Sequence, residues 1–148
     1  MPLLQVLLAL LAGAAIATQA SMNARLGVLL HSSMWATVIA FGVSCVVMLM
    51  ITIVFSQQTP SWSQADSVPM YLWVAGGGLA ALGVGLFYYL IPRMGMGSMM
   101  TYALTGQLFI AMLSSHFGWF DLPAKPFTIY RALGVIALLF AIGILNQD

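Results

Sequence analysis

Long apolar segments alternate with short polar links along the chain. The predicted helices occupy about residues 3–22, 34–55, 70–91, 96–116 and 128–146. Each is close to the ~20 residues that a helix needs to cross the hydrocarbon core of a bilayer. Backbone groups in lipid must be hydrogen-bonded within their own segment, and the alternation typical of a membrane barrel is absent. We therefore predict an all-α, polytopic membrane protein with a single domain, residues 1–148, built as a bundle of five transmembrane helices.

The first apolar segment has a second interpretation as a secretory signal peptide. Ala17 or Ala20 would then be the small residue before the cleavage site. The basic region that precedes the apolar core of such a peptide is missing, and cleavage would still leave four spans. We interpret the segment as a retained helix.

The predicted links differ in character. Residues 21–33 and 92–95 are tight connections, and residues 56–69 form a polar link that belongs in water. Residues 116–127 combine aromatic side chains, charges and two prolines, which is typical of a loop at the membrane interface.

Composition supports a lipid environment. The chain has 148 residues, of which 62% are hydrophobic and 5% are charged, whereas about a quarter of the residues of a soluble domain are charged. Membrane lipid is thus a predicted partner. With four Lys and Arg residues in total, the chain has no basic surface for nucleic acid. The single cysteine, Cys45, lies in an apolar run and is predicted to be a small packed residue; no Cys/His spacing suggests a metal, and no cofactor is predicted.

The positive charges carry no orientation preference. Five spans place the termini on opposite sides, with Lys125 and Arg131 on one side and Arg25 and Arg93 on the other. Because orientation follows the excess of Lys and Arg in short loops, this balance predicts dual topology. Two opposed copies would then pair as an antiparallel dimer. Alternatively, a partner such as a paralogous chain fixes one orientation.

Uncharged polar residues inside the spans are the first candidates for a binding site. Gln19 and Asn23 are four residues apart, so they share a face if the first helix continues that far. Gln107 lies in the middle of the fourth span. An amide in hydrocarbon costs free energy unless it is hydrogen-bonded. Either Gln107 bonds to Gln19 or Asn23 across the bundle, or these amides contact a ligand.

Aromatic residues form a second group of candidates. Trp73, Tyr88, Tyr89 and Tyr102 would be able to line a cavity and stack on a solute. Tyr and Trp near helix ends are often interfacial anchors, which is our interpretation of Tyr71 and Tyr89. The predicted substrate-binding residues are Gln19, Asn23, Trp73, Tyr102 and Gln107.

The third span is rich in glycine, at Gly76, Gly77, Gly78, Gly83 and Gly85. The pairs Gly76/Ala80 and Ala81/Gly85 have the small-residue spacing that lets spanning helices approach closely. The same glycines would also make the helix pliable, as alternating access requires. Packing and hinge roles are compatible, and both are predicted.

The predicted spans contain no carboxylate. Asp66 and Asp121 fall in links, and Asp148 is the last residue. Proton-coupled antiport of cations normally uses an intramembrane acid, so the solute is neutral or anionic, coupling is absent, or a partner supplies the acid.

The one candidate catalytic cluster is Ser114, Ser115 and His116. Because Ser115 and His116 are adjacent, they point in different directions on a helix, and we predict no enzyme.

Several short motifs, in order, resemble the five-helix YdcZ-type branch of the drug/metabolite transporter superfamily. They are Gly13 to Gly27, Trp73 ahead of Gly76-Gly77, Pro92-Arg93-Met94-Gly95, Gly106-Gln107 with His116-Phe117-Gly118 after it, and Arg131-Ala132-Leu133-Gly134. The resemblance covers nearly the whole chain. It implies a multi-pass protein of the bacterial inner membrane that functions as a transporter. Larger members have two inverted five-helix halves, so the resemblance also implies that this half-unit pairs antiparallel.

The small multidrug resistance transporters are more distant relatives. Their essential first-helix glutamate would fall near Ala15, and its absence means that their proton/cation mechanism does not carry over. Tyr71 and Trp73 are similar to their aromatic pair ahead of the glycines. The function predicted is secondary transport of a small organic solute through a cavity at a dimer interface. The alternative is a non-transporting membrane subunit that stabilises or regulates a partner protein.

Overall fold

The computed structural model describes residues 3–56, 59–121 and 128–145. Within these ranges the protein is helical and contains no strand. Its helices are α1 (Leu3–Leu29), α2 (Ser33–Phe55), α3 (Trp62–Asp66), α4 (Met70–Met94), α5 (Met96–Phe117) and α6 (Ile129–Leu145), and a 3₁₀ turn spans Trp119–Asp121. Our assignments for Lys125, for Asp148 and for the side chain of Arg131 lie outside the described part of the structure.

The chain forms two compact units, Met1–Arg93 and Met94–Asp148. In the described residues, four helices are long and apolar enough to cross a membrane, namely α1, α2, α4 and α5. The all-α membrane fold is confirmed. The fifth predicted span coincides with α6, which has 17 residues, so five spans and a single domain stay predictions.

Helix α1 is longer than its sequence suggests. The prediction that the helix ends at residue 22 and that residues 21–33 form a link is wrong, because α1 continues to Leu29. Its polar residues do not break it, since their side chains bond within the helix. The hydroxyls of Thr18 and Ser21 donate to the carbonyls of Ala14 and Ala17, at 2.9 and 3.2 Å. The hydrogen-bonding groups of the backbone and of these side chains thus find partners within the helix, so the polar residues do not require a loop.

A tight turn joins α1 to α2. It contains His31 in a left-handed conformation, with φ 51°, followed by Ser32, whose side chain accepts a hydrogen bond from the Trp35 N–H at 3.3 Å and caps α2. Close approach of the two helices depends on Gly27, where a Cβ would lie 3.3 Å from the Cα of Ser33. Ala20, Ala24 and Gly27 are buried, so small residues spaced by four and three form the packed face of α1.

Helix α4 also passes its predicted end. The prediction that Pro92 to Gly95 form a link is wrong for all but the last residue, because α4 runs to Met94 and stops at Gly95, with φ 82°. Proline has no N–H to donate to the carbonyl four residues earlier, which here belongs to Tyr88. The helix continues although the hydrogen bond to the Tyr88 carbonyl is missing. Helices commonly bend where a proline removes such a bond.

The glycines of α4 fall into two groups. A Cβ on Gly85 would lie 3.5 Å from Oγ1 of Thr37, so α2 and α4 are close there. A Cβ on Gly76, Gly77, Gly78 or Gly83 would meet no atom within 4 Å in the described structure. Packing through Gly85 thus occurs within the first unit, whereas the packing and hinge roles of the other four stay predictions.

The link at 56–69 contains a short helix. Ser61 and Gln64 form a capping box at the start of α3, with the Ser61 side chain accepting from the Gln64 N–H and the Gln64 side chain accepting from the Ser61 N–H. The side chain of Trp62 is almost fully exposed. An exposed tryptophan next to a span is typical of the membrane–water interface.

Candidate functional site

Three polar side chains meet inside the first unit and form a closed hydrogen-bonded group, called the polar triad below. The Asn23 amide Nδ2 donates to Oε1 of Gln19 at 2.8 Å and to the hydroxyl oxygen of Tyr88 at 2.9 Å. The Tyr88 hydroxyl in turn donates to Oε1 of Gln19 at 3.0 Å. Because α1 continues past residue 22, Gln19 and Asn23 share a face as predicted. The triad joins α1 to α4.

Tyr88 is the most enclosed member of the triad. Its side chain is 2% exposed and is the largest that is fully buried in the described structure. A buried tyrosine hydroxyl needs a hydrogen-bond partner; here Asn23 supplies a donor and Gln19 supplies an acceptor. In hydrocarbon, where no water can substitute, such bonds contribute about 0.6–2 kcal/mol each to the association of helices.

A cavity of about 350 Å³ adjoins the triad, and we call it the inner cavity. Residues of α1, α2 and α4 line it: Gln19, Asn23, Ile39, Ala40, Phe41, Val43, Ser44, Val84 and Tyr88. Four of these nine lining residues therefore carry polar groups on their side chains, and the other five are apolar. Small-molecule sites usually combine apolar walls with a few placed polar groups in this way.

A second cavity, of about 610 Å³, lies next to the α1–α2 turn and is called the outer cavity. Its lining is more polar and includes Gly27, Val28, His31, Ser32, Ser33, Met34, Tyr88, Tyr89, Pro92 and Arg93. The Arg93 guanidinium stacks over the Tyr89 ring at 3.5 Å and donates to the Tyr89 carbonyl. This arrangement holds a positive charge at the end of α4.

The two cavities follow each other along the helices. On α1 the lining passes from Gln19 and Asn23 to Gly27, and on α4 it passes from Val84 to Arg93. Tyr88 lines both cavities. Tyr88 is therefore a buried residue shared by the walls of a largely apolar space among the helices and of a more polar space at the turn.

The predicted site residues do not all lie at the inner cavity. Gln19 and Asn23 line it. Trp73 is on α4 but is 59% exposed, and it lies 15 residues before Tyr88, or about 22 Å along the helix axis. Tyr102 and Gln107 belong to the second unit, where their side chains are exposed. Roles for these three residues in binding stay predictions.

Two lining residues carry a role that the sequence did not reveal. Tyr88 was one of four aromatic candidates, and although Tyr89 was interpreted as an interfacial anchor, no pattern indicated Tyr88 as the partner of Gln19 and Asn23. Ser44 places a hydroxyl on α2 at the inner cavity and was not singled out. A usable indication was present in α1, where Ala20, Ala24 and Gly27 mark the face that packs, next to the face that carries the amides.

The inner cavity is electrically neutral. None of its described lining residues is Asp, Glu, Lys, Arg or His, whereas the lining of the outer cavity includes Arg93 and His31. The inner cavity therefore offers hydrogen bonds and apolar contact, and it offers no counter-charge for an ion.

Residues 4–144 match the family model DMT_YdcZ, whose description reads "Putative inner membrane exporter, YdcZ". The match covers nearly all of the chain, including every helix that forms the two cavities. No curated protein and no solved structure matches the chain at a significant level.

Proposed function

Because the chain belongs to the YdcZ family of inner membrane exporters, we propose that it is a secondary transporter of the drug/metabolite type that moves a small organic solute through the inner cavity. The observation that carries this proposal is the polar triad beside an apolar space among three helices. Polar groups within spans are costly and usually serve a transport pathway. The apolar helices and the family support a membrane carrier, and the cavity supplies a site.

The position of Tyr88 suggests how access would alternate. In the described state Tyr88 lines both the inner and the outer cavity, so its ring is placed where movement would connect them. Alternating access requires that one side of a site closes while the other opens. Breaking the bonds from Tyr88 to Gln19 and Asn23, with bending of α4 where Pro92 withholds a backbone bond, would join the two cavities. The triad would act as the inner gate.

A dimer would complete the carrier. We propose that two copies, or this chain and a paralogue, pair antiparallel and enclose the inner cavity at their interface. Support comes from the exposure of Gln19, from the open space beside Gly76, Gly77 and Gly78, and from the balance of Lys and Arg between the two sides of a five-span topology. Small residues on an open helix face allow a partner helix to approach closely.

Orientation is measured by fusing the C-terminus separately to a reporter active in the cytoplasm and to one active outside it. Dual insertion predicts strong activity from both fusions. Changing Arg25 and Arg93 to Gln removes both positive charges from one side and is expected to leave a single active fusion. Activity from only one wild-type fusion would rule out an antiparallel homodimer and require an oppositely oriented partner.

Transport is tested with the purified chain in liposomes loaded with a panel of small neutral, anionic and cationic solutes. The proposal predicts saturable flux of at least one solute above that of protein-free liposomes. The lack of acids among the described span residues favours one other function, a non-transporting subunit. Absence of flux for the whole panel, together with co-purification of a second membrane protein at a fixed ratio, would establish that alternative.

A further inference from the structure

The polar triad uses only part of its hydrogen-bonding capacity. Both hydrogens of Asn23 Nδ2 are donated, and Oε1 of Gln19 accepts twice. In the described structure, no hydrogen bond is recorded for Nε2 of Gln19 or for Oδ1 of Asn23. A primary amide carries two N–H donors and a carbonyl acceptor with two lone pairs. The free groups at the inner cavity are therefore a donor on one amide and an acceptor on the other.

This inventory does not depend on how the two amides are turned. If oxygen and nitrogen exchange places in both side chains, the bond between Gln19 and Asn23 forms in the opposite direction. The free donor then belongs to Asn23 and the free acceptor to Gln19. In each case one donor and one acceptor remain on two amides in direct contact, so one small group is able to reach both.

The walls of the inner cavity exclude ions. Apart from the triad and Ser44, its lining consists of Ile39, Ala40, Phe41, Val43 and Val84. Once a partner copy encloses the inner cavity, as proposed above, an ion that enters it would lose its hydration and find no opposite charge, which is far more costly than the transfer of a neutral polar group. A purely apolar solute would leave the free amide groups without partners, and that also costs free energy.

From these observations we propose that the solute bound at the inner cavity is a neutral amide-type molecule. It carries an acceptor and a donor on one small group, as a carboxamide, lactam or urea does, and this group is attached to an apolar body. The acceptor bonds to Nε2 of Gln19 and the donor bonds to Oδ1 of Asn23, while the body contacts the α2 wall at Phe41 and Val43. This inference rests on the proposed function for its setting and names the solute class.

Four probes with the same aromatic body separate the contributions of the hydrogen-bond donor, the acceptor and the charge to binding. Benzamide has both donor and acceptor, N,N-dimethylbenzamide has only the acceptor, benzylammonium is a cation and benzoate is an anion. Equilibrium binding to the purified, detergent-solubilised protein is measured through the shift in thermal unfolding temperature over a range of probe concentrations. We expect benzamide to bind at least about tenfold more tightly than each of the other three, as the loss of paired hydrogen bonds at a buried site predicts.

The substitution Gln19→Glu changes the specificity without removing the triad. A carboxylate oxygen at position 19 still accepts from Asn23 and Tyr88, while the free donor Nε2 is replaced by a charged oxygen. We expect the preference to invert, so that benzylammonium binds more tightly than benzamide.

The matched control is Gln5→Glu, which places the same change on the exposed part of α1, about 21 Å away along the axis. It is expected to keep the wild-type preference. A folded Gln19→Glu protein is recognised by its monodisperse elution; if it does not fold, Gln19→Met serves instead and is expected to abolish the benzamide preference.

The outcomes separate this inference from the proposed function. Tight, selective binding of benzamide that Gln19→Glu inverts supports the inference, even if liposomes show no flux, in which case the transporter proposal alone fails. Equal binding of all four probes, or tightest binding of benzoate or benzylammonium by the wild type, overturns the inference. Saturable flux of another solute would then leave the transporter proposal standing.

Discussion

Replacing Tyr88 by alanine is expected to lower the free energy of unfolding by about 3–5 kcal/mol, the range seen for loss of a large buried aromatic side chain. The side chain is 2% exposed and lines both cavities, so its removal would leave a void that adjoins them. The change is measured as the midpoint of unfolding in a denaturant that preserves the detergent micelle.

Two further variants identify the cause of that loss. Tyr88→Phe keeps the ring and removes only the hydroxyl bonds to Asn23 and Gln19, so we expect a loss of about 1–2 kcal/mol. Tyr71→Ala deletes the same side chain from a position on α4 that is 55% exposed, and we expect a change of less than about 1 kcal/mol. Equal destabilisation by Tyr88→Ala and Tyr71→Ala would contradict the burial of Tyr88 among the helices.

Replacing Asn23 by leucine is expected to reduce solute flux about 5- to 150-fold while the protein remains folded. The substitution is close to isosteric but removes both hydrogen bonds that Asn23 donates. Two bonds at about 0.5–1.5 kcal/mol each correspond to that range, since 1.4 kcal/mol is a factor of ten. Flux is measured in liposomes at a solute concentration well below saturation.

The matched control for this experiment is Gln5→Leu. Gln5 is also an amide on α1, but it is exposed and does not line either cavity. Removing it is expected to leave flux within about twofold of the wild type, as for other surface substitutions. If Gln5→Leu and Asn23→Leu reduced flux equally, the effect would be due to the hydrophobicity of α1 and not to the triad.

Local spacing was sufficient to predict part of this site. Gln19 and Asn23 are one helical turn apart, and helical geometry alone puts them on one face. The length of α1 was not predictable in the same way, because Ser21, Asn23 and Arg25 are typical of a link. In the structure Ser21 donates to the Ala17 carbonyl, and Asn23 donates to Gln19 and to Tyr88 of α4, so these polar side chains are satisfied without a link.

The long-range partner of the amides could not be derived from the sequence. Tyr88 and Tyr89 are adjacent on α4, and only the packing of α4 against α1 and α2 decides which one turns inward. Gly85, next to Thr37, lets α4 approach α2, and Gly27, next to Ser33, lets α2 approach α1. Gly76 looked equally suitable by its spacing from Ala80, yet a Cβ there would meet no neighbouring helix within 4 Å in the described structure.

Occupation of the inner cavity by solute is tested by placing a single cysteine on the cavity wall. Bound solute would protect its thiol from chemical labelling. Changing Cys45, the one cysteine of the chain, to serine gives a background in which Ser44→Cys places a thiol on the cavity wall. Val46→Cys is the control, because Val46 is an exposed residue of α2 outside the lining. If solute occupies the inner cavity, we expect N-ethylmaleimide to label Cys at position 44 and a transported solute to slow this reaction at least about tenfold, while labelling at position 46 is unchanged. An equal labelling rate at position 44 with and without saturating solute would contradict occupation of the inner cavity.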